Sequence, residues 1–186
     1  MNNEINILND EVVYRWKFLS MVERTYEINW KIQKYEMVIR NEVDNIIACL
    51  PVSKDWNFIL IKEFRIPINA YTIWVPAWLW DKKWENPLDI VSREVLEETW
   101  YIAWKIIHQF ITPTSDWLTN ELIDCYIATD CEKSPNWQLL EWPEQIEVIE
   151  VPIGEIDQFI YNQVINWVLI WSRMLALIAA YQKMKN

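Results

Sequence analysis

The segment from Trp84 to Tyr101 constrains the fold most, because it predicts a single helix whose two ends are both marked. Asn86 can cap the N-terminus, and Pro87 suits the first helical position, where no N–H donor is needed. Three apolar residues recur at helical spacing and predict a face that packs on a core: Leu88, Val91 and Val95. The segment is therefore predicted to be one capped helix that lies on the hydrophobic core.

Carboxylates cluster on the neighbouring face of this helix. Glu94, Glu97 and Glu98 stand at positions i, i+3 and i+4, so their side chains are close enough to repel one another. A hard divalent cation favours this arrangement, because Mg²⁺ binds through a few carboxylates together with substrate phosphates. The alternative is a solvated acidic face. Because the pattern continues to Glu85 before the helix and to Arg93 within it, the cation site is favoured.

The chain is as rich in tryptophan as it is poor in glycine. It has 14 tryptophans and 1 glycine among 186 residues, whereas an average usage of about 7% predicts roughly 13 glycines. Trp100 directly follows the last helical turn, a position that favours a left-handed residue and usually glycine. Five other tryptophans follow Asn or Asp, as glycine does in tight turns: Trp30, Trp56, Trp117, Trp137 and Trp167.

These contexts lead to the hypothesis that many or all of the tryptophans are glycines in the living protein. A UGA codon that the source reads as glycine, and a translation table reads as tryptophan, would produce the pattern. The alternative is a genuinely tryptophan-rich protein, in which most indole rings should be buried because large aromatic side chains contribute strongly to a core. If the residues are glycines, their positions should be turn tips and helix ends, several of them exposed, crowded or at positive φ.

With glycine in place of tryptophan, the helix and its approach resemble the signature of the Nudix hydrolases. That signature is Gly, a short spacer, Glu, seven residues, and then Arg-Glu-apolar-x-Glu-Glu-x-Gly-apolar. Two departures matter: Trp100 stands at the second glycine, and Trp78, at the first, is separated from the glutamate by six residues rather than five. Seven residues match in type and spacing: Glu85, Arg93, Glu94, Val95, Glu97, Glu98 and Tyr101.

Within that superfamily the chain looks most like the ADP-ribose pyrophosphatase group. The supporting segments are 62–67, 75–79, and 114–117 leading to Glu121, with glycine taken to occupy positions 78 and 117. The activity that this resemblance implies is metal-dependent hydrolysis of the pyrophosphate bond of ADP-ribose or a related nucleoside diphosphate derivative, giving AMP and ribose 5-phosphate. The alternatives are a pyrophosphatase for another nucleoside diphosphate sugar or dinucleotide, and a non-catalytic nucleotide-binding protein of the same fold.

The resemblance also implies roles for the helix residues and for the strand before them. Glu94, Glu97 and Glu98 would hold Mg²⁺ or Mn²⁺, with Glu97 and Glu98 acting in catalysis as well. The backbone carbonyl of Ala77 would be a further metal ligand. Arg93 would act in catalysis by orienting a glutamate through a charge-assisted hydrogen bond.

The remaining roles implied by the resemblance fall outside the helix. Glu85 would hold the loop or an outer-shell water next to the substrate. A later loop should supply a catalytic base or an extra metal ligand, with Glu144 as the first choice and Glu141 as the second, and a solvated loop carboxylate as the alternative for both. Arg65 would bind a phosphate or the terminal ribose; its alternative is a surface arginine at a strand end. Glu121 is grouped with the substrate contacts.

The resemblance implies an α/β fold, a Nudix-type α/β/α sandwich around a mixed β-sheet, with an N-terminal antiparallel β-hairpin. The hairpin extension, expected to mediate homodimerisation, would span 1–41 and the Nudix hydrolase domain 42–186. The hydrophobic patterning predicts strands and two further helices: strands at 11–28, 31–40, 45–52, 57–64, 73–75, 102–111, 121–128 and 146–151, and helices at 153–161 and 164–184.

Charge and cysteine content limit the binding partners and the compartment that the sequence predicts. The net charge of −10 argues against binding to nucleic acid or to an anionic membrane by bulk electrostatics. The polar, acidic N-terminus does not resemble a signal peptide. An odd count of cysteines, 3, without a CxxC pair favours buried thiols in a reduced, cytoplasmic setting. The longest C-terminal apolar run, Met174 to Tyr181, is too short to span a bilayer.

Overall fold

The computed structural model describes residues 5–43, 45–80, 85–135 and 145–185. The chain divides into two compact units. The first comprises the chain up to Ile46 together with Leu79–Lys83 and Thr112–Ile123. The second comprises Ile47–Trp78, Trp84–Ile111 and the chain from Asp124 onwards.

Three antiparallel strands in consecutive order open the first unit: β1 (Ile5–Arg15), β2 (Leu19–Ile28) and β3 (Lys31–Arg40). Asn29 and Trp30 join β2 to β3, and their φ angles of 52° and 63° are those of a tight two-residue hairpin turn. This confirms the turn that the sequence predicts between these strands, with tryptophan in a position that suits glycine.

The first predicted strand, over 11–28, is not continuous. The chain turns after β1, and the backbone N–H of Trp16 donates to the carbonyl of Leu19 at 2.7 Å. The N-terminal structure is therefore a three-stranded meander, with β1 as an added edge strand, rather than a two-stranded hairpin. Apolar residues lie on both sides of Trp16, so hydrophobicity alone did not reveal the turn.

A mixed sheet of nine strands, counted over the residues that the structure describes, follows the order β12-β6-β5-β4-β10-β8, with β11 on β5, β7 on β4 and β9 on β10. The sheet is mixed because β12 pairs with β6 in parallel, whereas β5 pairs with β4, β6 and β11 antiparallel. The strand bounds are: β4 Asn45–Ser53, β5 Asn57–Arg65, β6 Ala70–Trp74, β7 Ala77–Trp80, β8 Tyr101–Ile102, β9 Lys105–Pro113, β10 Leu122–Lys133, β11 Glu147–Pro152 and β12 Leu169–Ile170.

Three α-helices accompany the sheet in the described residues: α1 (Pro87–Thr99), α2 (Ile156–Ile165) and α3 (Ser172–Lys185). The prediction of one helix over 164–184 is wrong in its first part. Trp167 has a φ of 61°, which ends α2, and the short strand β12 intervenes before α3 begins. A mixed α/β fold with an N-terminal antiparallel sheet is therefore confirmed.

The core lies along β4 and β5, where the side chains from Ile47 to Ser53 and from Phe58 to Ile61 are buried, as continuous apolar runs predict for central strands. Val91 and Val95 of α1 are fully buried, as predicted. Leu88 is not part of this face, because it lies in the first turn of the helix and is 43% exposed; Ile90 is buried instead. In the described part of the chain, no helix is both long enough and apolar enough to cross a membrane.

Candidate active site

Both predicted ends of α1 are present as hydrogen-bonded caps. The side-chain Oδ1 of Asn86 accepts from the backbone N–H of Leu88 at 2.9 Å, and Pro87 occupies the first helical position. At the other end, Trp100 is left-handed, with φ 52° and ψ 23°, and its N–H donates to the carbonyl of Leu96 at 2.9 Å. This is the geometry that glycine usually provides after a helix. The caps fix the helix that carries the carboxylates.

Arg93 gathers three of the carboxylates predicted for the site. Its Nη1 lies 3.3 Å from Glu97 Oε2 and donates a short hydrogen bond to Glu94, and its Nη2 lies 3.5 Å from Glu85 Oε1. Burial lowers the pKa of Arg93, but the negative charges of Glu94, Glu85 and Glu97 outweigh this effect and raise the pKa above its ordinary value. The guanidinium therefore remains charged and partly neutralises carboxylates that would otherwise repel one another.

Glu98 is different, because its carboxylate is buried and is not bonded to Arg93. The residue is 7% exposed, and its Oε1 accepts a hydrogen bond from the indole Nε1 of Trp78 at 2.7 Å. A glutamate is rarely this buried without a partner that supports its charge. Here a side chain that stands at a glycine position of the resembled signature provides that hydrogen bond.

The donors on α1 suit a hard cation in kind, because all of them are carboxylate oxygens. Their side chains do not converge, since Glu94 and Glu97 turn to Arg93 while Glu98 meets Trp78. Consistent with this, no group of three or more His, Cys, Asp and Glu side chains is arranged to hold a metal in the described ranges. The donor set fits Mg²⁺ or Mn²⁺ chemically, and Glu98 differs from the others in its hydrogen bond to the indole.

The other predicted residues have contacts of their own. Ala77 begins β7 and directly precedes Trp78, so its backbone is next to the residue whose indole reaches the helix. Arg65 ends β5, where its Nη1 lies 3.0 Å from Glu63 Oε2 and its guanidinium stacks 4.6 Å from the ring centre of Trp74. These contacts place Arg65 at a strand end with a carboxylate and an aromatic face as neighbours.

Glu121 belongs to the first unit, where its Oε1 lies 2.5 Å from Arg40 Nε and its backbone N–H donates to Thr119 Oγ1 at 3.2 Å. It therefore ties the segment before β10 to the end of β3. The two candidate loop glutamates, Glu141 and Glu144, lie outside the described residues.

One cluster near α1 was not singled out by sequence reasoning. Lys133 Nζ lies 2.5 Å from Glu150 Oε1 and 5.9 Å from the ring centre of Tyr101, the residue that follows the helix cap. Burial raises the pKa of Tyr101, and Glu150 raises it further through its charge and a hydrogen bond. The backbone N–H of Ser134 donates to the carbonyl of Trp100 at 2.7 Å. These contacts anchor the end of α1, and because they join distant strands, no local pattern reveals them.

Comparison with known proteins supports the resemblance. The chain is 27% identical to an ADP-ribose pyrophosphatase of Bacillus subtilis over 78% of its own length and 77% of that protein. It is 28% identical to an uncharacterised Nudix hydrolase of Schizosaccharomyces pombe over 80% of its length and 77% of the relative. A crystal structure of an ADP compounds hydrolase shares the fold, with a TM-score of 0.79 and 17% identity over 97% of this chain and 94% of that one. No protein-family model matches the chain.

Proposed function

We propose that this chain, which is similar to Nudix hydrolases and to an ADP-ribose pyrophosphatase, hydrolyses the pyrophosphate bond of ADP-ribose or a related nucleoside diphosphate compound. With ADP-ribose the products are AMP and ribose 5-phosphate. The observation that carries the proposal is the capped helix α1, which bears Glu94, Glu97 and Glu98 in the order that the signature requires. The similarity to an ADP-ribose pyrophosphatase of Bacillus subtilis supports the choice of substrate.

The α1 carboxylates are proposed to hold Mg²⁺ or Mn²⁺, together with the backbone carbonyl of Ala77. A cation held by these residues would supply charge to neutralise pyrophosphate oxygens and to lower the pKa of an attacking water. Arg93 orients Glu94 and Glu97, because its guanidinium contacts both and limits their mutual repulsion. Glu98 contributes the buried carboxylate of the set, and its environment of low polarity strengthens its attraction for a cation.

The remaining roles are proposals that rest on position. Glu85, which pairs with Arg93, holds the approach to α1 and an outer-shell water. Arg65 is the proposed phosphate or ribose contact, and Glu121 and Glu141 complete the substrate contacts. Glu144 is the proposed base.

The protein is proposed to act as a homodimer in the cytoplasm, with residues 1–41 as the dimerisation extension and 42–186 as the catalytic domain. Every residue of β1 is exposed, including large apolar side chains, which supports burial against a second copy. All three cysteines are free, which supports a reducing compartment. The net charge of −10 supports a small-molecule substrate with a screening cation, rather than nucleic acid or a membrane surface.

The test is a hydrolysis screen of the purified protein over ADP-ribose, other nucleoside diphosphate sugars and dinucleotides. Because residue 78 is in question, the chain as written and its Trp78→Gly variant are assayed side by side. The expected result is AMP release from ADP-ribose that disappears with a chelator and returns with Mg²⁺ or Mn²⁺, since the proposed ligands are all oxygens. Folded protein that is inactive on every substrate would favour the nucleotide-binding alternative, and chelator-resistant hydrolysis would exclude the carboxylates as a metal site.

A further inference from the structure

We propose that the side chain of Trp78 closes the carboxylate site on α1, and that residue 78 decides whether Glu98 can take part in cation binding. This inference rests on the proposed function, because it concerns the same carboxylates. It is argued from other observations than the proposed function: one hydrogen bond and the burial of both of its partners, without reference to any relative.

The indole and a cation compete for the same oxygen. Trp78 Nε1 lies 2.7 Å from Glu98 Oε1, and both residues are buried. A Mg²⁺ ion would need to approach that oxygen to about 2.0–2.1 Å with several further ligands around it. The indole N–H is a donor only, so it directs a proton at the carboxylate and offers a cation no ligand in return. The indole therefore uses one lone-pair direction of Glu98 Oε1, and the buried ring fills space beside this oxygen that a cation and its further ligands would need.

We expect removal of the indole to change the hydrogen bonding of Glu98 and to leave helix α1 folded. The helix is capped at Asn86 and Trp100, and neither cap hydrogen bond involves residue 78; Val91 and Val95 are buried on its apolar face. The buried carboxylate would lose the hydrogen bond from Trp78. Because a buried charge is costly without partners, binding of a cation or of water to Glu98 would then become more favourable. With glycine at 78, the space that the ring occupies becomes available to that ligand.

The inference separates residue 78 from the other unusual tryptophans. Trp30, Trp56, Trp100 and Trp167 have a left-handed backbone, which suits glycine. Trp78 does not have a left-handed backbone. It matters for a different reason, because its indole donates a hydrogen bond to the buried carboxylate of the proposed metal site. A glycine there would act as the residue that opens the site.

The experiment is a calorimetric titration of the full chain with Mn²⁺ in the absence of substrate. Trp78→Gly is compared with the chain as written and with Trp30→Gly, a matched control that removes an exposed tryptophan from the hairpin turn of the first unit. We expect Mn²⁺ to bind Trp78→Gly about 10- to 100-fold more tightly than either comparator, the range typical of changes next to metal ligands. Glu98→Gln added to Trp78→Gly should abolish the gain. Trp78→Ala also removes the ring and serves if the glycine variant does not fold.

Equal Mn²⁺ affinity of the parent chain and of the folded Trp78→Gly or Trp78→Ala variant would overturn the proposal. So would a gain that persists when Glu98 is replaced. Hydrolysis assays on the same samples separate this outcome from the function itself. A Glu98-dependent gain in binding without turnover of any substrate would support the closing role of Trp78 and contradict the hydrolase. Equal turnover by the parent chain and the Trp78→Gly variant would support the hydrolase and contradict the closing role of Trp78.

Discussion

At the scale of single residues, four tryptophans occupy backbone conformations that suit glycine. Trp30, Trp56, Trp100 and Trp167 have φ between 52° and 63°, where a side chain costs roughly 1–2 kcal/mol and glycine almost nothing. Trp30 and Trp167 are 93% and 91% exposed, so burial of the ring does not offset this cost. These positions agree with the hypothesis that the tryptophans are glycines in the living protein. Trp117 is 71% exposed but is not left-handed, so only its exposure agrees.

Replacement of Trp30 by glycine should stabilise the protein. We expect the free energy of unfolding to rise by about 1 kcal/mol, because left-handed strain is removed and little packing is lost. Trp117→Gly is the matched control in the same unit, and there glycine should bring no gain, since the backbone does not require it. Urea unfolding of the two variants measures the difference. A gain in Trp117→Gly equal to that in Trp30→Gly would show that loss of an exposed ring, rather than relief of strain, is responsible.

Replacement of Glu98 by glutamine in the Trp78→Gly background should reduce kcat by about 100-fold or more, because a charged metal ligand is lost. The fold should persist, since glutamine has nearly the same shape and the buried apolar face of α1 is unchanged. Glu147→Gln on β11 is the control, because that carboxylate pairs with Lys62 at 3.3 Å and belongs to no proposed site. Steady-state kinetics at saturating Mg²⁺ measures kcat for both variants. Near-normal turnover of the Glu98 variant would remove this residue from the mechanism.

At the scale of secondary structure, local cues predicted the elements that have local causes. The Asn86–Pro87 cap and the left-handed position at residue 100 set the bounds of α1 correctly. The apolar runs that became β4 and β5 were also predicted to within a residue. The site could be predicted only in part, because the carboxylates share one helix whereas the contact of Trp78 with Glu98 joins residues from two elements. No periodicity encodes a contact of that kind.

The elements that were missed depend on distant partners. β12 exists because Leu169 and Ile170 pair in parallel with Thr72 and Ile73 of β6, far away in the sequence. Its residues follow an apolar helix-like pattern, so local reasoning extended the C-terminal helix across them. The cue in the sequence against that helix was the Asn166–Trp167 pair, which has the form of a tight turn if residue 167 is glycine.

Strand β1 should mediate a homodimer. Its exposed apolar residues include Ile7 and Val13, more than an edge strand usually leaves in water. Light scattering at micromolar concentration should give twice the chain mass of 22.6 kDa. The double variant Ile7→Lys, Val13→Lys should be monomeric, because charge opposes burial of the strand. Leu175→Lys on α3 is the control and should leave the mass unchanged; a monomeric parent chain would contradict the prediction.

At the scale of the whole molecule, the fold is retained although few residues are shared with its structural counterpart. A TM-score of 0.79 at 17% identity means that two chains which differ at most positions have the same architecture. The proposed site would depend on a small number of positions within that architecture, of which residues 78 and 98 are one pair.

The three cysteines of the folded protein should be unreactive. Burial raises the pKa of Cys125 and Cys131 to about 12 and raises that of Cys49 well above its ordinary value. At pH 8, on the order of one thiol in ten thousand would then be the reactive thiolate. Iodoacetamide at that pH should add no label to the native protein and three labels in denaturant, read by mass spectrometry. Rapid labelling of the native chain would contradict the burial of these thiols.

The central claim is that glycine stands at most of the tryptophan positions in the living protein, including residue 78, so that Glu98 is open to a cation. The most direct measurement is the intact mass of the protein purified from its native source. We predict a mass below 22.6 kDa by one tryptophan-to-glycine difference for each position that the source reads as glycine. A mass of 22.6 kDa, matching 14 tryptophans, would contradict the claim and leave the carboxylate site closed by the indole of Trp78.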